Sequence, residues 1–429
     1  MNDWCHFRVA WGQHCRGFPV WIVLLACCWH ATRRVSDAQD WPQFRGPAGQ
    51  GHSTVRQLPL KWSEGADNVA WKVEVDGLGW SSPVIGGRQL WLTTARDEGR
   101  SLRALCYEVG SGRLLHDVEL FRREEAGQIH PKNSHASPTP IVDGDRVYVH
   151  FGAYGTAGLS TAGEVLWRQK LDYSQVHGPG GSPTLHQGLL IINCDGGDTQ
   201  FVVALEADSG KIRWRTDRPE NTYAKKFAFC TSLVIDVDGT SQAISPGAGG
   251  VSSYDPKSGR EIWRVDYAEG YSVVPRPVHG LGMVYLSSSF DKPRLLAIRT
   301  GGTGNVTKSH VAWTLERGAP HSPSPLLVGD ELYLVSDRGI ASCVNARTGD
   351  IHWQERLGGN FSASPLFAAG RIYFLDEAGK TTVVAPAKEF RELAVNSIAG
   401  RTLASPVPVE GALFLRTDSH LYRVEAERD

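Results

Sequence analysis

Residues 204–214 read ALEADSGKIRW, and residues 253–263 read SYDPKSGREIW. Each stretch places an apolar strand-like run before a short polar turn, and a glycine stands four residues before a tryptophan in both. The same spacing of Gly and Trp recurs at two further places, Gly163/Trp167 and Gly349/Trp353. Recurrence of one pattern along a chain indicates a repeat architecture.

A second marker divides the chain in the same way. A proline is followed eight residues later by an apolar or aromatic residue at Pro83/Trp91, Pro140/Tyr148, Pro183/Ile191, Pro277/Tyr285, Pro325/Tyr333, Pro365/Tyr373 and Pro406/Phe414. One more unit, at residues 229–263, lacks the proline. The two markers together define eight units that start near residues 83, 140, 183, 232, 277, 325, 365 and 406.

One unit contains four short strands separated by tight turns. Residues 325–328 are apolar, and Gly-containing turns then separate three further strand-like runs that end at Trp353. Four antiparallel strands in a unit of this length form one propeller blade, so the sequence predicts an all-β, eight-bladed β-propeller with four-stranded antiparallel blades. We expect the recurring tryptophans to pack between adjacent blades: Trp71, Trp167, Trp214, Trp263, Trp313 and Trp353.

The last unit has room for only about three strands after Pro406. A spare strand, residues 70–75, precedes the first unit and carries Trp71. The amino-terminal strand is therefore predicted to complete the carboxy-terminal blade, which removes the open sheet edge. This divides the chain into a signal at residues 1–38, a lead-in segment at residues 39–69 and a propeller at residues 70–429.

Composition excludes several classes of protein. The chain has 429 residues, is 41% hydrophobic and has a formal net charge of -1, which is ordinary for a globular protein and gives no general attraction to nucleic acid.

Four cysteines of the repeat region are widely scattered and match no metal site, so we interpret them as buried apolar residues: Cys106, Cys194, Cys230 and Cys343. No metal site is predicted.

The amino terminus carries a targeting signal. Phe18–Cys28 reads FPVWIVLLACC, an apolar run of signal-peptide length with Arg8 and Arg16 upstream. Leu24 to Cys27 resembles a lipobox that would place a lipid on Cys27, whereas Ser36-Asp37-Ala38 suits ordinary cleavage before Gln39. An annotated start that lies too early is a further alternative. Export to the periplasm or cell envelope is predicted, with membrane association only through the possible lipid.

The repeats quoted above resemble the tryptophan-docking repeat of the PQQ-like eight-bladed propeller superfamily, and the resemblance covers about residues 70–429. The lead-in DWPQFRGP at residues 40–47 is similar to that of exported planctomycete-type PQQ-like proteins. The resemblance implies one of two functions. Quinoprotein dehydrogenases hold PQQ and Ca²⁺ in the central funnel, with a disulfide of adjacent cysteines and a carboxylate base.

The only adjacent cysteines here are Cys27 and Cys28, inside the signal. We therefore expect no cofactor and favour the other branch, the BamB-like propellers, which act as non-catalytic binding or assembly scaffolds through their rim loops. PQQ-dependent oxidation of an alcohol or sugar, with PQQ and calcium, is the alternative. Hydrolysis is disfavoured because no Gly-x-Ser-x-Gly or His-Glu-x-x-His motif occurs.

Loops that enter the first strand of each blade, together with the turns between second and third strands, are expected to surround the funnel mouth. Candidate residues for binding an envelope protein or polar ligand there are Lys132, Asn133, His135, Tyr154, His177, Asp195, Tyr223, Lys225, Arg276 and His321. Arg276 is predicted to be an exposed loop residue whose replacement by Ala weakens binding with little effect on stability.

Overall fold

A computed structural model describes residues 40–220, 223–267 and 269–426. The predicted signal at residues 1–38, with Cys27 and the possible cleavage site after Ala38, lies outside the described residues. Within the described ranges no helix is long and apolar enough to cross a membrane.

The strands form eight sheets. The closing strand β1 (Val69–Glu74) is followed by blade 1, with β2 (Val84–Gly86), β3 (Gln89–Arg96), β4 (Ser101–Glu108) and β5 (Leu114–Arg122). Blade 2 has β6 (Ile141–Asp143), β7 (Arg146–His150), β8 (Thr156–Ser160) and β9 (Val165–Gln169), and blade 3 has β10 (Thr184–His186), β11 (Leu189–Asp195), β12 (Gln200–Glu206) and β13 (Ile212–Asp217). Blade 4 has β14 (Leu233–Val237), β15 (Thr240–Gly247), β16 (Gly250–Tyr254) and β17 (Glu261–Asp266).

The second half of the chain repeats the arrangement. Blade 5 has β18 (Val278–Gly280), β19 (Met283–Ser287), β20 (Leu295–Arg299) and, after the short β21 (Gly304–Asn305) and helix α1 (Thr307–His310), β22 (Val311–Leu315). Blade 6 has β23 (Leu326–Val328), β24 (Glu331–Val335), β25 (Ile340–Asn345) and β26 (Ile351–Arg356), and blade 7 has β27 (Leu366–Ala368), β28 (Arg371–Leu375), β29 (Lys380–Val384) and β30 (Glu392–Ser397). Blade 8 has β31 (Val407–Val409), β32 (Ala412–Arg416) and β33 (His420–Glu425).

The ring is closed by β1, which pairs antiparallel with β33, so blade 8 is completed by a strand from the other end of the chain. Blade 4 has an additional strand, because β21 pairs in parallel with β17. The prediction of an all-β, eight-bladed propeller with four-stranded antiparallel blades is confirmed.

The recurring tryptophans and glycines turn out to be two halves of one contact between blades. The indole Nε1 of Trp214 donates to the carbonyl of Pro256 in the next blade at 2.9 Å. Gly259 lies against the same ring, and a Cβ added there would come within 2.6 Å of Trp214 Cδ2. Gly259 also has a φ of +73°. A glycine is therefore needed here for two reasons, the close approach of the indole ring and the left-handed backbone conformation.

The same docking recurs around the ring. The indole nitrogen donates to a carbonyl of the next blade at distances of 3.0–3.2 Å, in the pairs Trp71 with Val109, Trp167 with Ala207, Trp313 with Ala346 and Trp353 with Ala387. Trp263 differs, because its Nε1 donates to Gln242 of its own blade at 2.9 Å. It nevertheless packs with Val284 and Leu286 of blade 5, so it too lies at a boundary between blades.

The lead-in segment is an integral part of the fold. Trp41 exchanges two backbone hydrogen bonds of 2.9 Å with Ile85 in blade 1, and Ser53 N–H donates to Phe367 O in blade 7 at 2.9 Å. The imidazole of His52 lies 2.6 Å from Leu327 O in blade 6. Residues 40–57, called the plug below, therefore cross the ring at the far ends of its inner strands.

A buried histidine makes stability depend on pH. His150, at the end of β7, is 1% exposed, its Nδ1 lies 2.8 Å from Thr156 Oγ1, and burial lowers its pKa to about 3. The unfolded chain binds a proton at a pKa near 6.5 but the folded chain does not, so this contribution to stability is lost as pH falls below about 6.5.

We expect His150→Gln to remove about 2 kcal/mol of the stability difference between pH 7 and pH 5. Denaturant unfolding of both proteins at the two pH values measures this difference, in which contributions from all other titrating groups cancel. Equal losses in the two proteins would contradict the assignment.

Candidate functional site

The inner strands begin around a cavity of about 310 Å³ on the ring axis, which we call the funnel. Its lining includes the residues that precede the first strands of the blades, and Phe44 of the plug is also part of the lining. Because the plug crosses the ring at the opposite ends of the inner strands, the funnel is a blind cavity with one mouth.

Seven hydroxyl residues line the funnel wall at the level where the inner strands begin. Each stands two residues before a first strand and lines the funnel, and we call the set the hydroxyl ring: Ser82, Thr139, Ser182, Thr231, Ser324, Ser364 and Ser405. The backbone N–H at this level of one blade donates to the hydroxyl oxygen of the next blade in seven bonds of 2.9–3.1 Å. Blade 5 has Arg276 at this position instead.

The hydroxyl ring was not predicted, although a signal for it is present in the sequence. Six of the seven prolines that mark the units are preceded by Ser or Thr, and only the proline at 277 is preceded by Arg276. Proline has no N–H and fixes its own φ, so the residue before it is held in an extended conformation. A hydroxyl residue at this place can therefore bond the neighbouring blade in every unit except blade 5.

Aromatic side chains extend along one side of the mouth. Neighbouring ring centroids lie 4.7–6.1 Å apart in the order His130, His177, Phe227, Tyr271, Phe290 and His321, which we call the aromatic arc. The exposed His177 has a φ of +61°, and its carbonyl accepts hydrogen bonds from His130 N–H and from Asn133 Nδ2. The loop before blade 2 is thereby tied to the loop before blade 3.

Charged groups occupy the other side of the mouth. Lys132 Nζ lies 2.8 Å from Glu377 Oε1, and Arg401 Nη2 lies 3.8 Å from Glu377 Oε2. The guanidinium of Arg401 also lies 5.5 Å from the ring of Trp80. Partial burial is the main cause that lowers the pKa of His177, and the nearby His130 is the second. His177 is therefore neutral at pH 7, and the positive charge on this side of the mouth comes from Lys132 and Arg401.

Six of the ten candidate residues lie at or beside the mouth. Lys132, Asn133 and His177 line the funnel. Tyr223 and Lys225 lie beside them, since Tyr223 donates to Asp291 and Lys225 Nζ donates to Tyr271 Oη at 3.1 Å. His321 is at the end of the aromatic arc. His130, Tyr271 and Phe290 were not among the candidates, because aromatic residues in loops carry no repeat signal.

Two candidates face away from the funnel. His135 is 6% exposed, and its Nε2 lies 3.2 Å from Gly127 O. Its ring stacks on Tyr154 with centroids 6.0 Å apart, and Tyr154 is in turn covered by the guanidinium of Arg123 at 3.6 Å. The prediction that His135 belongs to an open rim is wrong, because the long loop before blade 2 folds over it.

Asp195 is also buried rather than exposed at the rim. Its Oδ2 accepts a hydrogen bond from Arg218 Nη2 at 2.8 Å, and the side chains of the two residues are 0% and 7% exposed. Arg218 further donates to Ser245 O at 3.0 Å in blade 4. Asp195 therefore joins two blades through a buried ion pair and is not exposed at the funnel mouth as predicted.

Arg276 is buried against the plug rather than exposed in a loop. It is 1% exposed, and its guanidinium donates to Ser232 O at 3.1 Å and to Phe44 O at 2.6 Å. Gly49 of the plug packs directly against it. The prediction that Arg276 is an exposed loop residue is wrong, because the side chain turns inward and hydrogen-bonds the plug.

A calcium–PQQ site does not fit these residues. The funnel lining contains no Asp or Glu that could coordinate Ca²⁺ or act as a base. Among the described residues no three His, Cys, Asp or Glu side chains are arranged to hold a metal ion. The four described cysteines are separate and buried, and burial raises the pKa of Cys106 to about 12. No step of quinone chemistry is therefore derived for this funnel.

Eight blades, docked tryptophans and a blind axial funnel define a PQQ-like β-propeller. The chain belongs to the family described as outer membrane protein assembly factor BamB, whose model matches residues 61–273 and 247–393. A curated relative of that name from Shewanella oneidensis is 25% identical over 226 residues, which cover 49% of this chain and 52% of the relative. The chain thus spans about half the length of the curated relative that it matches.

Solved structures share the fold. BamB from Moraxella catarrhalis has a TM-score of 0.57 at 13% identity, covering 83% of this chain and 98% of that one. The quinohemoprotein alcohol dehydrogenase ADHIIG from Pseudomonas putida HK5 has a TM-score of 0.59 at 11% identity, with coverage of 90% and 80%. A europium-containing methanol dehydrogenase has 0.53 at 9%, with coverage of 89% and 90%. At these identities the likeness extends to the fold alone.

Proposed function

We propose that this protein is exported to the cell envelope and acts there as a non-catalytic scaffold that binds a partner protein at the funnel mouth. Export is supported by the apolar run Phe18–Cys28, which is typical of a signal peptide. The assembly role is supported by the family, because its description and that of the curated relative both name an outer membrane protein assembly factor.

The aromatic arc is the main support for a partner-binding site at the funnel mouth. Aromatic side chains are enriched at the centres of protein interfaces because they supply large contact areas with little loss of conformational freedom. Here they come from the five loops that enter blades 2 to 6 and from one turn within blade 5. Four of the five contacts between neighbouring rings are edge to face, so the surface is already organised. Lys225, whose Nζ lies 4.2 Å from the centre of the Tyr271 ring and 3.6 Å from Asp291 Oδ1, places an exposed ion pair beside the arc.

A charge reversal beside the arc tests this surface. We expect Lys225→Glu to reduce the amount of partner retained from native envelope extracts at least fivefold, because the side chain is 51% exposed and contributes directly to the charge of the surface. The measurement is quantitative mass spectrometry of proteins captured by the tagged, full-length protein.

Lys211→Glu is the matched control. Lys211 is exposed in the turn between β12 and β13, at the end of the propeller opposite the mouth, and should leave retention unchanged. Equal retention by the two variants would contradict a binding role for the mouth. Recovery of the full-length, unprocessed chain from the cytosol would contradict the proposed export.

A further inference from the structure

We infer that the hydroxyl ring is the binding site for a small ligand that carries an oxyanion, either a phosphate or a carboxylate. The site lies inside the funnel, below the aromatic arc. It goes beyond the proposed scaffold function and does not depend on it, because a partner protein at the mouth and a small ligand in the funnel use different residues.

The ring hydroxyls supply hydrogen-bond donors to the funnel. A Ser or Thr hydroxyl has one hydrogen to donate and an oxygen that accepts. In the ring each oxygen already accepts a backbone N–H from the preceding blade. In the part of the chain that the structure describes, none of these seven hydroxyls donates its own hydrogen to a protein acceptor. Seven O–H donors therefore remain available to the cavity that they line.

The described lining of the funnel supplies no charged acceptor for these donors. The funnel lining includes no carboxylate. Glu377, which accepts from the lining residue Ser362 at 2.7 Å, is engaged by Lys132 and lies within 3.8 Å of Arg401. A set of donors without matching acceptors is complementary to a ligand rich in acceptor oxygens, and hydrogen bonds to a charged acceptor are the stronger ones.

Two buried arginines place positive charge beside the ring. Arg276 holds the eighth ring position, and Arg45 of the plug is 3% exposed with its Nε and Nη1 unpartnered. Across the described ranges neither guanidinium forms an ion pair with a carboxylate. Burial lowers the pKa of Arg276 to about 10, and burial together with the nearby Arg276 lowers that of Arg45 to about 9. Both remain charged at neutral pH, and their positive potential favours an anion.

The shape of the funnel limits the ligand to a small molecule. A volume of about 310 Å³ with one mouth is at the lower end of the range for small-molecule sites. Above the hydroxyl ring the wall includes Trp80, Phe229 and Leu403, which would contact an apolar body. The ligand would therefore place its oxyanion on the ring and any carbon skeleton toward the mouth.

Isothermal titration of the purified full-length protein in low-chloride buffer tests the site with three probes: inorganic phosphate, citrate and glucose. We expect saturable binding of phosphate or citrate and none of glucose. Tighter binding of phosphate would identify a phosphate-bearing ligand, and tighter binding of citrate an organic polyacid. Both results support an oxyanion site. Binding of neither anion, or equal binding of glucose, would overturn the inference.

A pair of matched variants places the bound anion. Ser364→Ala removes one ring hydroxyl and should weaken binding about tenfold, as expected for a hydrogen bond to a charged group. Ser364→Thr keeps the hydroxyl, as Thr139 and Thr231 do naturally, and should bind within twofold of the unchanged protein.

Ser364→Ala also removes the acceptor of the Ser324 N–H, so thermal melting checks that both variants are folded. If Ser364→Ala does not fold, Ser405→Ala replaces it, because Ser405 is the most exposed member of the ring at 9%. Anion binding that is equally strong in the folded alanine and threonine variants would show that the anion binds elsewhere and would overturn the assignment.

Discussion

Replacing Asp195 with Asn should lower the free energy of unfolding by about 3 to 5 kcal/mol, because it leaves the buried Arg218 without its counter-charge. The amide can still accept one hydrogen bond but cannot neutralise a guanidinium that is only 7% exposed. Since Arg218 also donates to two oxygens of Ser245 in blade 4, the loss should weaken the boundary between blades 3 and 4. Denaturant unfolding at pH 7 measures the change.

Two further variants show whether the buried charge is responsible. Asp217→Asn removes a carboxylate on the same blade whose side chain is 74% exposed, and should change stability by no more than about 0.5 kcal/mol. In the double variant Asp195→Asn/Arg218→Met the unpaired charge is absent, so part of the lost stability should return. A double variant as unstable as the sum of its single changes would contradict a direct interaction of the pair.

Replacing Trp214 with Ala should lower the free energy of unfolding by a similar amount, about 3 to 5 kcal/mol, through the cavity it leaves. The indole is 8% exposed and packs with Ala243 and Tyr254 of the next blade. Its loss also leaves the Pro256 carbonyl without the indole donor that it has at 2.9 Å. The free energy from denaturant unfolding, compared with that of the unchanged protein, checks the value.

Ile212→Ala is the control on the same strand. Ile212 is apolar and lies two residues from Trp214, but it is 50% exposed, so little packing is lost and the effect should be below about 1 kcal/mol. Equal losses at the two positions would mean that strand β13, rather than the contact between blades, determines the effect.

The repeat could be predicted from sequence because its signals are local. Gly210 and Trp214 stand four residues apart, and each contact that they make with neighbouring blades recurs around the ring. Strand order and closure by β1 follow from counting strands per unit. The positions of Lys132 and His177 at the mouth follow from the same count, since they precede first strands.

Interactions that break the repeat could not be predicted in this way. Arg276 stands where other units have Ser or Thr, and only the distant partners Phe44 and Gly49 show why its side chain turns inward. Asp195 and Arg218 are 23 residues apart, with nothing in the local sequence to show that they meet. The aromatic arc likewise joins residues of six different loops. Such contacts depend on the assembled ring rather than on any one unit.

The closure of the ring by β1 has a consequence for the order of folding. β1 pairs with β33 between residues whose separation exceeds 300 positions, and the plug makes contacts of similar sequence separation with blades 7 and 8. Contacts between distant parts of the chain form slowly, because a long loop must be closed before they contribute energy. During synthesis the amino-terminal strand emerges first but remains without its partner until β33 has been made. The native ring can therefore be completed only after translation has reached the final strand.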